Sequence, residues 1–387
     1  MKIGAVICEY NPFHNGHAHQ IAEMRKLGFD HILCLMSGNF VQRGAPACRD
    51  KWQRTCWALQ AGADAVLELP AAYALQSAEG FAHGAVRILD SLGVVHSICF
   101  GCELPDADLL KQIASLLLKE PLNYRRHLKA QLDQGFSYAS ARSRALAAAL
   151  PLKDASLLAM PNIILGIEYT KALLKLNSRM TPLPIQRIPA QAGIASASHI
   201  RTHIRTQGID SVKRYMPDYV ACTLTPFMTE DALSQAVLTI LRRCTLLDIA
   251  QLPDVTEGLQ YRIKEASGRV NTLHGLYHAA KSLRYPQTRI QRICMYALLD
   301  IKKDDLVRFN ASSAYARLLG FRKNSAALLK EIKQNSSIPL ITKAAHYKKY
   351  SDITDLFALD MRATDIYSLY TPSHQSGRDL TEKIIFT

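Results

Sequence analysis

Short apolar runs alternate with amphipathic stretches through the first half of the chain. Ile3–Cys8, His31–Met36, Ala65–Leu69 and Ser97–Phe100 are almost continuously apolar and of strand length, and Pro184–Ile188 is a further candidate. Between them His17–Leu27, Asp50–Ala61 and Ala78–Leu89 repeat apolar residues at helical spacing. A long helical stretch covers Leu109–Leu176, within which Asn162–Leu176 opens a helix behind Pro161. Strands that are apolar on both faces and alternate with helices predict βαβ units, hence a parallel sheet covered on both sides. From about Ser196 the strand signal fades. Asp231–Leu241, Val255–Ala266, Leu273–Leu283, Gln287–Leu299, Ser312–Leu319 and Ser325–Gln334 all show helical periodicity broken by Gly or Pro. The expectation is an α/β domain over residues 1–205, followed by a mostly α-helical domain over 206–387.

Composition narrows the class. With 387 residues, 48% apolar and 21% charged, the chain can bury a sizeable core. No uncharged apolar run approaches the roughly 18 residues that would span a bilayer. Glu9 follows the first apolar run too soon for a secretory leader, so a cytoplasmic location without membrane association is expected. Nine cysteines, mostly in apolar segments, read as reduced thiols rather than a disulfide framework. The close pair Cys99 and Cys102 has no second pair to complete a zinc site, and no metal-ligand set is expected. The net charge of +14 is concentrated: residues 262–349 hold 18 Lys+Arg against 5 Asp+Glu. A polyanion is the natural partner of such a window.

The stretch richest in chemistry is Glu9-Tyr10-Asn11-Pro12-Phe13-His14-Asn15-Gly16-His17. It joins the first strand to the first helix, where an α/β sheet binds ligands at its carboxyl edge. A helix amino end offers unpaired N–H groups and partial positive charge to a phosphate. Gly16 is expected to let the backbone approach closely, and His14 and His17 to donate to the same phosphate. Neither a Walker loop nor a G-x-G-x-x-G pattern is present. A second helix start, Ala195-Ser196-Ala197-Ser198-His199-Ile200-Arg201, offers a capping Ser and an Arg one turn in.

His-x-Gly-His in this position resembles the signature of the nucleotidyltransferase superfamily, and Ser196–Arg201 resembles its second motif, with Ala195 and Ala197 as departures. A closer resemblance runs along most of the chain, to the tRNA(Met) cytidine acetate ligase family. It rests on Glu9–His17, Met36–Gly44, Asp50–Trp52, Gly62–Pro70, Phe100–Glu103, Pro161–Gly166, Gln186–Ile188, Tyr285–Arg292 and Leu318–Phe321. The resemblance implies a Rossmann-like nucleotidyltransferase domain that cleaves ATP to AMP and pyrophosphate. Acetate would be activated as acetyl-adenylate, and the acetyl group passed to the wobble cytidine of elongator tRNA(Met) to give N4-acetylcytidine. Mg2+ would arrive with the nucleotide, and no stable protein partner is implied.

By motif position the resemblance assigns catalytic roles to His14, His17, Ser196 and Arg201. It places Ile7, Cys8, Glu9, Tyr10, Asn11, Pro12, Phe13, His14, Asn15, Gly16, His17, Ala18, His19 and Gln20 along the ATP. Gly101, Asn162, Arg187 and Ile188 complete that site. Arg43 and Lys51 are further cations in the same half, either near the anionic substrates or ordinary surface charges. The loop from Pro189 to Ala195 departs from the family's pattern, and Ala45 stands where an acidic residue is expected. In the basic window Lys281, Arg284, Arg289, Arg292, Arg322 and Lys323 are the expected tRNA phosphate contacts. Two other readings stay open: an adenylyltransferase of a small substrate, which has no use for the basic half, and an ATP-dependent RNA-binding protein without turnover.

Overall fold

The computed structural model describes residues 1–150, 158, 160–188, 193–224, 230–371 and 374–387. The sequence's unusual stretch from Pro189 to Ala192 thus lies outside the described residues. The first half runs β1 (Ile3–Cys8), α1 (Asn15–Lys26), β2 (His31–Ser37), a small hairpin of β3 (Phe40–Val41) and β4 (Ala45–Pro46), α2 (Lys51–Gln60), β5 (Ala65–Leu69), α3 (Ala71–Ala74), α4 (Ala78–Ser91) and β6 (Ser97–Cys102). Helices α5 (Ala107–Lys119), α6 (Leu122–Asp133), α7 (Tyr138–Ala149) and α8 (Pro161–Lys175) lead to β7 (Thr181–Gln186) and α9 (Ala197–Gln207). Then come α10 (Asp218–Ala221), α11 (Glu230–Arg243), α12 (Leu246–Ala250), α13 (Leu259–Arg269), α14 (Leu273–Ala280), α15 (Gln287–Leu299) and α16 (Lys303–Ala311). The chain finishes with β8 (Ala316–Phe321), α17 (Ala326–Asn335), β9 (Leu340–Ile341), α18 (Thr354–Ser368), α19 (Arg378–Thr381) and β10 (Ile385–Phe386).

The main sheet has the order β10-β8-β5-β2-β1-β6-β7, with β9 added beside β8. β1, β2, β5, β6 and β7 are mutually parallel, as the alternation of strands and helices predicts, and β1 is buried throughout, whereas β7 starts three residues before the expected Pro184–Ile188 and ends at Gln186 as a half-exposed strand next to β6. The reversal of strand order at β1 leaves a crevice at its carboxyl end, between β2 and β6. None of the helices described is long and apolar enough to cross a membrane.

β8 corrects the sequence reading. Ser312–Leu319 was expected to be helical, yet Ala316–Phe321 is a strand paired antiparallel with β5, Ala65 opposite Phe321 and Glu68 opposite Arg317. A six-residue apolar run carries no decisive period, and the open edge of β5 settles it. The sheet therefore draws strands from both sides of residue 205.

A buried ionic network explains how these later segments are held. Lys51, 0% exposed at the start of α2, pairs with Glu68 of β5 at 2.6 Å and with Asp379 of α19 at 2.6 Å. Arg317 of β8 reaches the same two carboxylates. Asp360 of α18 accepts from the Tyr315 hydroxyl and from the backbone of Ala71. Burial, with Glu68 nearby, raises its pKa to about 7. Lys51 is thus a structural cation committed to two carboxylates, not a group waiting for substrate.

Candidate active site

The turn after β1 is built around its two histidines. His14 is the N-cap of α1, and its Nδ1 accepts from the Gly16 amide at 3.1 Å. His17 Nδ1 accepts in return from the His14 amide at 3.2 Å, completing a reciprocal capping pair. The rings stack with centroids 3.6 Å apart, and His17 also meets Tyr10 and Phe13 at 4.9 and 5.4 Å. Burial lowers the His14 pKa to about 4, helped by Arg187 and Arg201. His17 is likewise held well below its usual range, by burial first and then by His14 and Arg187. Both rings are therefore neutral at pH 7. Because each Nδ1 is an acceptor, each proton sits on Nε2, leaving two N–H donors.

This refines the expectation for the helix start. Two amides of the turn, those of His14 and Gly16, are taken by imidazoles, so the donors it offers are chiefly ring Nε2–H groups. Gly16 is needed for the His14 ring: a Cβ there would stand 3.0 Å from its Cε1.

The second helix start is brought to the first. Arg201 of α9 donates to the Asn11 carbonyl at 2.6 Å, and burial lowers its pKa, with Glu9 opposing. Asn15 Nδ2 donates to the carbonyls of Gly193 and Arg214 at 2.9 and 3.0 Å, tying α1 to the segments that flank α9. Ser196 caps α9, accepting from His199 N at 3.2 Å, and its residue is exposed. Asn11 Oδ1 accepts from Cys48 N, and Glu9 Oε1 from Gln42 N.

Some of the sequence-assigned residues between Ile7 and Gln20 serve as scaffold. Ile7 and Cys8 end the buried β1, and Tyr10 places its hydroxyl 3.3 Å from Cys34 Sγ. Phe13 is fully buried, and Gln20 ties α1 to the Cys99 carbonyl of β6. His19 lies 3.8 Å from Glu23 on a half-buried face. Pro12 and Ala18 lie within the same turn and first helical turn.

One strand over, β6 and β7 contribute a polar cluster. Arg187 Nη1 and Asn162 Nδ2 both donate to Glu103 Oε1, at 2.8 and 2.6 Å. A Cβ on Gly101 would stand 3.1 Å from Arg187 Cγ, so the missing side chain makes room for that arginine. Arg187 also lowers the pKa of both histidines, which places its charge beside the β1–α1 turn. Ile188 follows at the strand's exit and is 40% exposed.

Sequence reasoning passed over two residues. Glu103 closes the Phe100–Glu103 stretch, and its place two residues beyond Gly101 is the one sign of it in the sequence. Arg54 is 0% exposed and donates to the carbonyls of Glu9, Ser37, Gly38 and Arg49, lashing the exits of β1 and β2 together. An arginine inside an amphipathic helix carries no local sign of that burial.

The basic window divides. Lys281 and Arg284 are exposed, Arg284 pairing with Glu257 at 2.7 Å. Arg289 donates to the Asp254 carbonyl and Thr256 hydroxyl, and Arg292, only 12% exposed, pairs with Asp254 at 2.7 Å. These last two brace the 254–257 turn against α15. The hairpin tip at Gly44 packs directly on α15: its φ is +77°, and a Cβ there would collide with the backbone of Gln291 and Arg292. Exposed Arg43 thus lies on a hairpin that joins the β1–α1 turn to the α15 face. Arg322 and Lys323 are elsewhere. Antiparallel β8 carries Phe321 opposite Ala65, so they emerge at the amino edge of the sheet, the far side from His14 and His17.

Comparison with known proteins agrees with this geometry. Residues 1–382 match the family model described as HIGH Nucleotidyl Transferase. A Thermoanaerobacter sp. (strain X514) protein named tRNA(Met) cytidine acetate ligase is 40% identical over 403 residues, covering 100% of each chain. One of the same name from Clostridium perfringens (strain ATCC 13124) is 40% identical over 407 residues, also covering 100% of each. The crystal structure of Thermotoga maritima TmcAL bound with alpha-thio ATP superimposes with a TM-score of 0.92 at 31% identity, covering 100% of this chain and 99% of that one.

Proposed function

Because the chain belongs to the HIGH nucleotidyltransferases, and among them to the tRNA(Met) cytidine acetate ligases, we propose that it activates acetate with ATP and acetylates the wobble cytidine of elongator tRNA(Met). An acetate oxygen attacks the α-phosphorus and pyrophosphate departs, leaving acetyl-adenylate. The N4 amine of cytidine then attacks the acetyl carbonyl, giving N4-acetylcytidine and AMP.

The observation that carries this reading is the convergence of His14, His17, Arg187 and Arg201 from three separate elements on one crevice. Both reactants of the first step are anions, so the step needs charge neutralisation and alignment more than a nucleophilic side chain. Neutral imidazoles donate Nε2–H to the α-phosphate as its charge grows. Arg201, and the Ser196 helix start beside it, take the departing pyrophosphate. Mg2+ would be carried in by the triphosphate and add to that neutralisation. Residues 1–205 form the ATP and acetate part in this reading, and 206–387 supply the tRNA contacts, with Lys281 and Arg284 the exposed cations of the basic window that reach phosphate. The cytidine must leave its stack to present N4.

Acetate-dependent exchange of pyrophosphate into ATP tests the first step without tRNA, and elongator tRNA(Met) should then yield N4-acetylcytidine. Exchange driven instead by a phosphorylated small molecule would point to an adenylyltransferase. ATP binding with no exchange for any carboxylic acid would point to a non-catalytic RNA-binding protein.

A further inference from the structure

The Glu103 carboxylate is asymmetric in a way its neighbours do not explain. Oε1 receives two donors, Asn162 Nδ2 at 2.6 Å and Arg187 Nη1 at 2.8 Å. Oε2 is shielded from solvent and has no hydrogen-bond partner among the described residues. A buried carboxylate oxygen without a donor is unfavourable, and such an atom in a native fold is commonly satisfied by a ligand or water.

Its place in the sheet indicates which ligand group. β6 is the neighbour of β1, paired with it over Gly4–Ala5 and Ser97–Ile98, so at least one strand spacing separates the exits of the two strands. A nucleotide whose α-phosphate sits on the β1–α1 turn would carry its sugar across that spacing, over the exit of β6. Gly101 lets the Arg187 stem pack close over the β6 exit, and Glu103 stands two residues beyond. A sugar presents hydroxyl donors, and what Oε2 lacks is a donor.

We propose that Glu103 is a nucleotide-specificity residue: its Oε2 accepts a hydrogen bond from a ribose hydroxyl of ATP while its Oε1 holds Arg187 and Asn162 in place. The proposal rests on the ATP site assigned above and adds to it the group that tells a ribonucleotide from a deoxyribonucleotide. A hydrogen bond to a charged acceptor predicts a preference of roughly 10- to 100-fold for ATP over whichever of 2′-deoxy-ATP and 3′-deoxy-ATP lacks the contacted hydroxyl.

The test is calorimetric titration of the full chain, without acetate, using ATP and both deoxy analogues. It compares the wild type with Glu103→Ala and Glu103→Gln. The wild type should discriminate against one analogue, Glu103→Ala should bind ATP and that analogue within about twofold of each other, and Glu103→Gln should fall between. A purely supporting role through Arg187 would weaken all three nucleotides equally and leave their ratios unchanged, which would overturn the proposal. So would a wild type that binds ATP without discriminating. A wild type that fails to bind ATP would bring down the underlying site assignment instead. Glu103→Gln preserves size and shape, and its thermal melt shows whether a lost ratio reflects lost folding.

Discussion

Replacing His14 with asparagine separates the two jobs its ring performs. Nδ1 caps α1 through the Gly16 amide, and in the proposed reaction Nε2–H donates to the α-phosphate. Asparagine is among the best N-caps, so Oδ1 can take over the first job, while nothing replaces Nε2. His14→Asn should therefore keep native stability within a few tenths of a kcal/mol, whereas His14→Ala should lose about 1 kcal/mol. Both should lose pyrophosphate exchange by about 10²- to 10³-fold, the usual consequence of deleting one preorganised donor to developing charge. Acid titration adds an independent check. The folded pKa of about 4 lies below the ordinary 6.5, so this stabilising contribution is complete above pH 6.5 and is lost as pH falls through 4. Over that window the protein should lose roughly 3 kcal/mol through His14, which is only 7% exposed, and His14→Asn should flatten that segment. Exchange assays and denaturant unfolding from pH 7 to pH 4 read all three quantities. Exchange by His14→Asn within threefold of wild type would refute the phosphate role. Equal instability of the Asn and Ala variants would refute the capping role.

Three further outcomes follow from the packing. Lys51→Met should destabilise the fold by about 3–5 kcal/mol, because it leaves the two buried carboxylates Glu68 and Asp379 to share the single charge of Arg317. Nucleotide affinity measured below the unfolding transition should stay near wild type; a selective loss of that affinity would return Lys51 to the site. Gly44→Ala should shift the hairpin away from α15, lowering tRNA acetylation more than tRNA-free exchange, with equal loss of both as the contrary result. Lys281→Ala with Arg284→Ala should weaken tRNA binding and flatten its salt dependence by roughly two counterions. Arg322→Ala with Lys323→Ala, on the opposite edge of the sheet, should do neither, and a filter-binding series from 50 to 200 mM salt distinguishes them.

The sequence by itself determined what can be encoded within a few turns of chain. The parallel strands, the imidazole pair flanking Gly16, the Ser196 helix start and the kinship with the ligase family were all legible there. Each depends on residues that are neighbours in the chain or lie one helical turn apart. Tertiary structure alone decided which charges are free. Lys51 looked like a substrate cation until Glu68 and Asp379, the latter more than 300 residues away, were found beside it. Arg289 and Arg292 looked like RNA contacts until Asp254 and Thr256 claimed them. Arg322 and Lys323 share a basic window with Arg284 because charge is summed along the chain, and antiparallel β8 places them at the amino edge of the sheet, away from His14 and His17. A side chain's type and local period fix what it can bond to. Which partner it meets depends on strand pairing across hundreds of residues, where burial makes an unpaired charge so unfavourable that the fold must supply the partner.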